Sequence, residues 1–227
     1  MKATLLKFGT IAGAAVIGLA AVDMPANAAS PYNTGVDALG NLLPGGAVDE
    51  NWEVFQSNGT TSIGKAVVVD NPGRPPLGIP TAWIPNGPDS KWIAEDVNGT
   101  AGVNQVRVYQ TTFTASLGEF IKGRVAGDNF ILDIFLNGAS TGLSFGDPSV
   151  NPATVASSAF DGWNEFTLDG LLVGTNTLGF KVQDVGSITG FRAEYEVIPT
   201  PALLPGLIGL GVAALRRKKD ETAEENA

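Results

Sequence analysis

The 227-residue chain predicts an all-β sandwich set between two apolar ends. Three observations carry that reading. Short segments alternate apolar with polar side chains, the period of a strand with one buried face. Asn-Gly, Asp-Gly and Asp-Asn pairs separate these segments at close intervals, and such pairs favour tight turns. Between the two ends, no segment of ten residues has the 3.6-residue period of an amphipathic helix.

Residues 29–50 are rich in Gly, Asn and Pro and predict an irregular lead-in with a weak apolar cluster at Leu39, Leu42 and Leu43. Trp52 to Gln56 reads as the first strand and ends at the Asn58-Gly59 turn. Lys65 to Asp70 carries the β-branched run Val67-Val68-Val69 and is closed by Asn71-Pro72-Gly73. A long Pro-rich loop follows, 73–100, holding Trp83 and Trp92; a loop of that length in a compact domain is packed or functional. Gln105 to Phe113 alternates cleanly, and Phe120 to Val125 is the next strand. Asp128-Asn129 is expected to turn into Phe130 to Leu136, with Asn137-Gly138 as a hairpin turn. Gly142 to Phe160 reads as a second loop. Trp163 to Leu168, Thr177 to Val182 and Gly190 to Val197 complete the set, with turns at Asp169-Gly170 and Gly174-Thr175-Asn176. In the last strand Phe191, Ala193, Tyr195 and Val197 face one way, and Arg192, Glu194 and Glu196 the other. The sandwich is thus expected over 51–198.

The N-terminus has Lys2 and Lys7, then an apolar run from Ile11 to Val22, then Ala26-Asn27-Ala28. That order predicts a signal peptide over 1–28, with an uncleaved anchor as the alternative. At the other end Pro199-Thr200-Pro201-Ala202 precedes an apolar run to Leu215 and the basic block Arg216, Arg217, Lys218 and Lys219, followed by an acidic tail over 220–227. Ala202 to Leu215 holds 14 residues without an ionisable group. As a helix it spans about 21 Å, short of a ~30 Å hydrocarbon core. The four cations are a cytoplasmic stop under the positive-inside bias, and their stems snorkel to add reach. A C-terminal amphipathic or core helix is the alternative.

Composition removes several functions. The chain has no Cys and no His, which excludes disulfides, Cys/His zinc sites and Ser-His-Asp or Cys-His catalysis. The stretch 29–198 carries 8 Lys plus Arg against 18 Asp plus Glu, a net charge of −10; no basic stripe offers a footprint for nucleic acid, and none is expected as a partner. The remaining route to catalysis is a carboxylate pair among Asp128, Asp133, Asp161 and Glu165, against the plainer reading of a solvated acidic surface. No enzyme is expected.

The C-terminal triplet of motif, apolar run and basic cluster resembles the PEP-CTERM class of bacterial sorting signals, in its cyanobacterial PTPA-CTERM variant. The usual Pro-Glu-Pro is here Pro199-Thr200-Pro201. The resemblance implies export, membrane anchoring through a transmembrane helix within a sorting signal over 199–219, cleavage by an exosortase-like processing protease of altered specificity, and delivery to the cell surface or extracellular matrix. A second likeness covers roughly 50–198. Trp83 and Trp92, then Tyr109 to Phe113, Gly127 to Asn129, Leu136 to Gly138, and Gly174 to Val182 together are similar to galactose-binding-domain-like jelly rolls. That fold hosts carbohydrate-binding modules, so an extracellular polysaccharide is the implied ligand, with Trp83, Trp92 and Trp163 as stacking platforms. Their alternative is plugs at the ends of the sandwich, the commoner fate of an aromatic ring. The same fold often carries structural calcium. Asp128-Asn129 and Asn137-Gly138 offer oxygens but are also ordinary turn chemistry, so no cofactor is assigned. The rival functions are a self-associating structural surface protein and a two-carboxylate glycan hydrolase.

Overall fold

The computed structural model describes residues 30–71, 73–74, 78–150, 158–186 and 188–199. Ten strands appear: β1 (Val48–Gln56), β2 (Ser62–Val68), β3 (Ile93–Ala94), β4 (Val106–Ala115), β5 (Glu119–Asp128), β6 (Phe130–Leu136), β7 (Ala139–Ser140), β8 (Ala159–Leu168), β9 (Gly174–Gln183) and β10 (Gly190–Pro199). All pairings are antiparallel, in the order β7-β6-β9-β4-β1-β2-β3-β10-β5-β8. Among the described residues no helix is long and apolar enough to cross a membrane. The expected signal peptide over 1–28, Thr200 onward and the expected C-terminal helix lie outside the described residues.

The hydrogen-bonded order is a single run, but the sheet curls so that its two ends face each other. Trp52 on β1, Tyr109 on β4 and Phe180 on β9 all meet Phe191 on β10, at ring-centroid distances of 5.4, 5.2 and 4.8 Å. Phe166 on β8 reaches Phe180 edge-on at 5.8 Å. These contacts form the core of a sandwich-like arrangement, with β6, β9, β4 and β1 in one layer and β10, β5 and β8 in the other. Aromatic pairs at this spacing add to the apolar area they bury. The alternation that predicts each strand decides which side chains enter: Tyr109, Thr111, Phe113 and Ala115 of β4 are buried, while Thr112 and Thr114 are exposed.

One of the crossings between the two layers is at Asn129. A turn is expected at Asp128-Asn129; instead the chain passes from β5 in one layer to β6 in the other through a single residue, across a cis peptide. Asn129 is held on several sides. Its N–H donates to Gln183 O, its O accepts from Ala159 N, and its Oδ1 accepts from Val185 N. A strand that changes sheets at such a corner is a known solution of β-sandwiches. The turn expected at Gly174-Thr175-Asn176 is also corrected, because those residues begin β9. The hairpin at Asn137-Gly138 is present, with φ of 53° and 79°, the left-handed pair that a two-residue hairpin connection requires.

The lead-in is irregular yet fixed. Thr34 N–H donates to Ala193 O, Tyr195 N–H donates to Asn33 Oδ1, and Trp52 Nε1 donates to Tyr32 O. Residues 32–34 therefore cover the free edge of β10 beyond its short pairing with β3.

Candidate functional site

The expected tryptophan platforms are corrected at two of three positions. Trp83 is 4% and Trp92 0% exposed. Their rings pack at 4.2 Å within a second apolar cluster with Val69, Ile79, Ala94, Ala126 and Phe160. Both indole N–H groups are bonded inward, Trp83 to Asp128 Oδ2 at 2.8 Å and Trp92 to Ile84 O at 2.8 Å. No face of either ring is open to a sugar. The loop is packed through Ile79, Trp83 and Trp92 rather than displayed, and the tryptophans plug one end of the sandwich.

Trp163 on β8 is part-buried, and its ring serves charge. The guanidiniums of Arg124 and Arg192 each lie 4.6 Å from its centroid, within cation–π range. Both arginines also bind Glu194. Arg124 Nε donates to Oε2 at 2.8 Å, and Arg192 Nη2 donates to Oε1 at 3.2 Å. Ser90 Oγ donates to the same Oε1 at 2.7 Å and accepts from Arg192 Nε at 2.7 Å, while Arg192 Nη1 donates to Pro85 O. Arg192 and Glu194 face outward from β10, as their alternation predicts, but are only 3% and 9% exposed. Burial pulls the Arg192 pKa below its usual value, and Glu194 opposes that shift. The network fixes the Pro-rich loop to the sheet.

The four acids considered for catalysis do not share a setting. Asp128 turns into the core beside Trp83. Asp161 and Glu165 point outward from β8. Asp133 of β6 stands opposite Lys181 of β9 in register. Burial pushes the Asp128 carboxyl up to about 7, with the Trp83 bond opposing and the charge of Asp184 adding to the rise. Burial likewise lifts Asp184 and Asp49 to about 6. Asp128 Oδ1, Asp184 Oδ2 and the Tyr109 hydroxyl are buried without a hydrogen-bond partner, and desolvation raises the Tyr109 pKa too. Among the described residues no cluster of three or more Asp or Glu is positioned to hold a metal ion. The Asn137 oxygen considered for calcium accepts from Thr177 N at 2.8 Å and serves the hairpin.

A different surface has the character of a binding groove. Outward-facing Val108 and Gln110 of β4, Gly179 and Thr177 of β9 and Phe135 of β6 make its floor and wall, and the β1–β2 turn, residues 57–60, overhangs it. Its volume is about 160 Å³. Gly179 keeps the floor low: a Cβ there would meet Val108 at 3.5 Å and Phe135 at 3.7 Å. None of the residues lining it is ionisable, in a body of net charge −10. An apolar floor and ring beside amides and hydroxyls from Asn58, Gln110, Thr60 and Thr177 suits an uncharged, hydroxyl-rich chain. The volume lies below the roughly 300–1,000 Å³ of pockets that enclose a small ligand; the groove covers one face of a ligand. The sequence hides it, because its members come from four separate segments and none is an unusual residue in its own strand.

Of the sorting motif, Pro199 is the last residue of β10, opposite Glu119 in register. Thr200, Pro201, Ala202, Arg216, Arg217, Lys218 and Lys219 lie outside the described residues.

No protein-family model matches the chain, and no curated protein matches it. Two solved structures of a beta-glucosidase from Kluyveromyces marxianus are similar, one in complex with glucose and one selenomethionine-labelled. The match covers 76% and 79% of this chain but 18% and 20% of theirs, at 11% identity and a TM-score of 0.34 in both cases. The chain thus spans about a fifth of their length. At that TM-score the likeness bears on neither fold nor function.

Proposed function

We propose that this chain is a non-enzymatic, exported surface or matrix protein, a jelly-roll sandwich whose uncharged groove binds a neutral extracellular polysaccharide. One observation carries the binding half: the groove of Val108, Gln110, Phe135, Thr177 and Gly179 has no ionisable lining residue on an otherwise acidic body. Pyranose rings have apolar C–H faces and hydroxyl rims. Phe135 and Val108 suit the first, and Gln110, Asn58 and the threonines suit the second. The export half is supported by the order of the N-terminal apolar run and cleavage-like Ala26-Asn27-Ala28, and by the C-terminal motif, run and basic block. In this reading an exosortase-like protease acts near Pro199 to Ala202, and the run beyond inserts in the membrane before that step. The absence of His and Cys and the inward turn of Asp128 favour binding over hydrolysis.

Affinity electrophoresis through gels containing neutral polysaccharides tests the binding half. The protein is expected to be retarded, and Phe135→Ala to migrate as in a gel without polysaccharide while keeping its unfolding temperature. Equal migration of both proteins in every gel removes the claim.

A further inference from the structure

The end of the sandwich from which the chain leaves toward its C-terminal apolar run also displays apolar side chains. β10 ends at Pro199, opposite Glu119, the first residue of β5. The β4–β5 turn therefore lies beside the exit point, and its tip is Leu117, 83% exposed. Ala115 at the end of β4 pairs with Gly174 at the start of β9, which puts the β8–β9 loop at the same end. That loop carries Leu172 and Val173, 57% and 53% exposed.

These tips are held, not loose. Asn176, 1% exposed, accepts from Leu172 N at 2.9 Å and donates to Leu172 O at 2.8 Å and to Gly174 O at 3.0 Å. Leu171 packs on the core beneath. The other turn is closed by Ser116 N donating to Glu119 Oε2 at 2.7 Å and Glu119 N donating to Ser116 O. The Asn176 amide therefore fixes the backbone of the loop that carries the two exposed apolar side chains.

From Pro199 to Leu203, where the apolar run begins, is four residue steps, at most about 14 Å of extended chain. If that run enters a bilayer, this end of the sandwich is confined to the interface. We infer that Leu117, Leu172 and Val173 form a membrane-docking face that seats the sandwich end-on against the lipid surface holding its own C-terminal run. The inference rests on the proposed insertion of that run. Contact is apolar rather than electrostatic, because the charged neighbours at this end include the acidic Glu119 and Asp169. Exposed Leu, Leu and Val side chains gain by leaving water for the acyl boundary.

The chain has no native cysteine, so single labels report cleanly. The full chain, carrying Leu117→Cys, Val173→Cys, Leu210→Cys or Val103→Cys with an environment-sensitive fluorophore, is reconstituted in phosphatidylcholine vesicles doped with a nitroxide lipid. Val103, 72% exposed, precedes β4 at the far end, roughly 34 Å away along a ten-residue strand. The expected result is several-fold stronger quenching at 117 and 173 than at 103, little changed by salt or by added phosphatidylglycerol. Quenching at 210 with 117 and 173 no different from 103 overturns the docking face and leaves the inserted tail intact. Absence of quenching at 210, 117 and 173 alike removes the tail reading and the docking face with it. A blue shift at 117 without lipid quenching assigns the patch to a second copy of the chain and likewise overturns the inference.

Discussion

Asp128→Asn tests the electrostatics of the plugged end directly. Asp128 is 7% exposed, with one oxygen bonded to Trp83 and the other unpartnered. Burial raises its carboxyl from 3.8 to about 7. A raised acid binds its proton more tightly in the folded protein than in the unfolded one. Between about pH 4 and pH 7 the folded state therefore holds the extra proton, and stability falls as pH rises. The interval from 3.8 to about 7 corresponds to about 4 kcal/mol, fully developed above pH 7 and absent below pH 4. Asparagine keeps an acceptor for Trp83 and never ionises. Its amide fills the place of the unpartnered oxygen, where an unsatisfied donor costs about 1–3 kcal/mol. Urea unfolding at pH 4, 6 and 8, followed by tryptophan fluorescence, gives the difference between wild type and variant at each pH. The variant is expected to be level with or below wild type at pH 4, and to gain on it by up to about 4 kcal/mol by pH 8. A difference that stays constant from pH 4 to pH 8 refutes a carboxyl held protonated by burial.

The remaining predictions concern packing. Glu194→Ala leaves Arg192, 3% exposed, without its carboxylate and is expected to cost about 3–5 kcal/mol in denaturant unfolding; a loss below about 1 kcal/mol shows that the pair behaves as a surface salt bridge. In Gly190→Ala the new Cβ would stand 2.5 Å from Trp83 Cη2 and 3.1 Å from Trp92 Cε3. Both rings are anchored by their N–H groups, so overpacking by about 1–3 kcal/mol is expected, read as a fall in Tm; an unchanged Tm means the indole pair can slide. Gly138→Ala puts a side chain at φ 79° and should lower stability by about 1 kcal/mol, read as a fall in Tm; an unchanged Tm means the hairpin turn accepts a side chain there without strain.

All eight strands expected from the sequence are present: Gln105 to Phe113 shows itself by its period of two, and Lys65 to Asp70 by its β-branched run. Two short strands, β3 and β7, were not legible: two residues cannot display a period. Longer-range features were hidden for a related reason. The length of the loop 73–100 leaves open whether it is packed or functional, and the packing of Ile79, Trp83 and Trp92 in the interior is decided only by distant partners. Arg192 and Glu194 read as surface residues on the outer side of a strand. Their burial comes from Ser90 and Pro85, about a hundred residues earlier in the chain. Trp163 could be read as an aromatic near the surface, but the two arginines that lie on it sit on other strands. The groove failed to show for the same cause, since its residues become neighbours only when β4, β6 and β9 align.

β10 is the last described strand, and along one side it is joined to β5 by ten residue pairs from Gly190–Asp128 to Pro199–Glu119. A pull applied beyond Pro199 acts along the strand axis. It strains the whole ladder in shear instead of opening it one bond at a time. A body tethered by that end in flowing water would resist extraction through many hydrogen bonds loaded together, and its mechanical strength would owe more to where the final strand lies than to how stable the domain is in still solution.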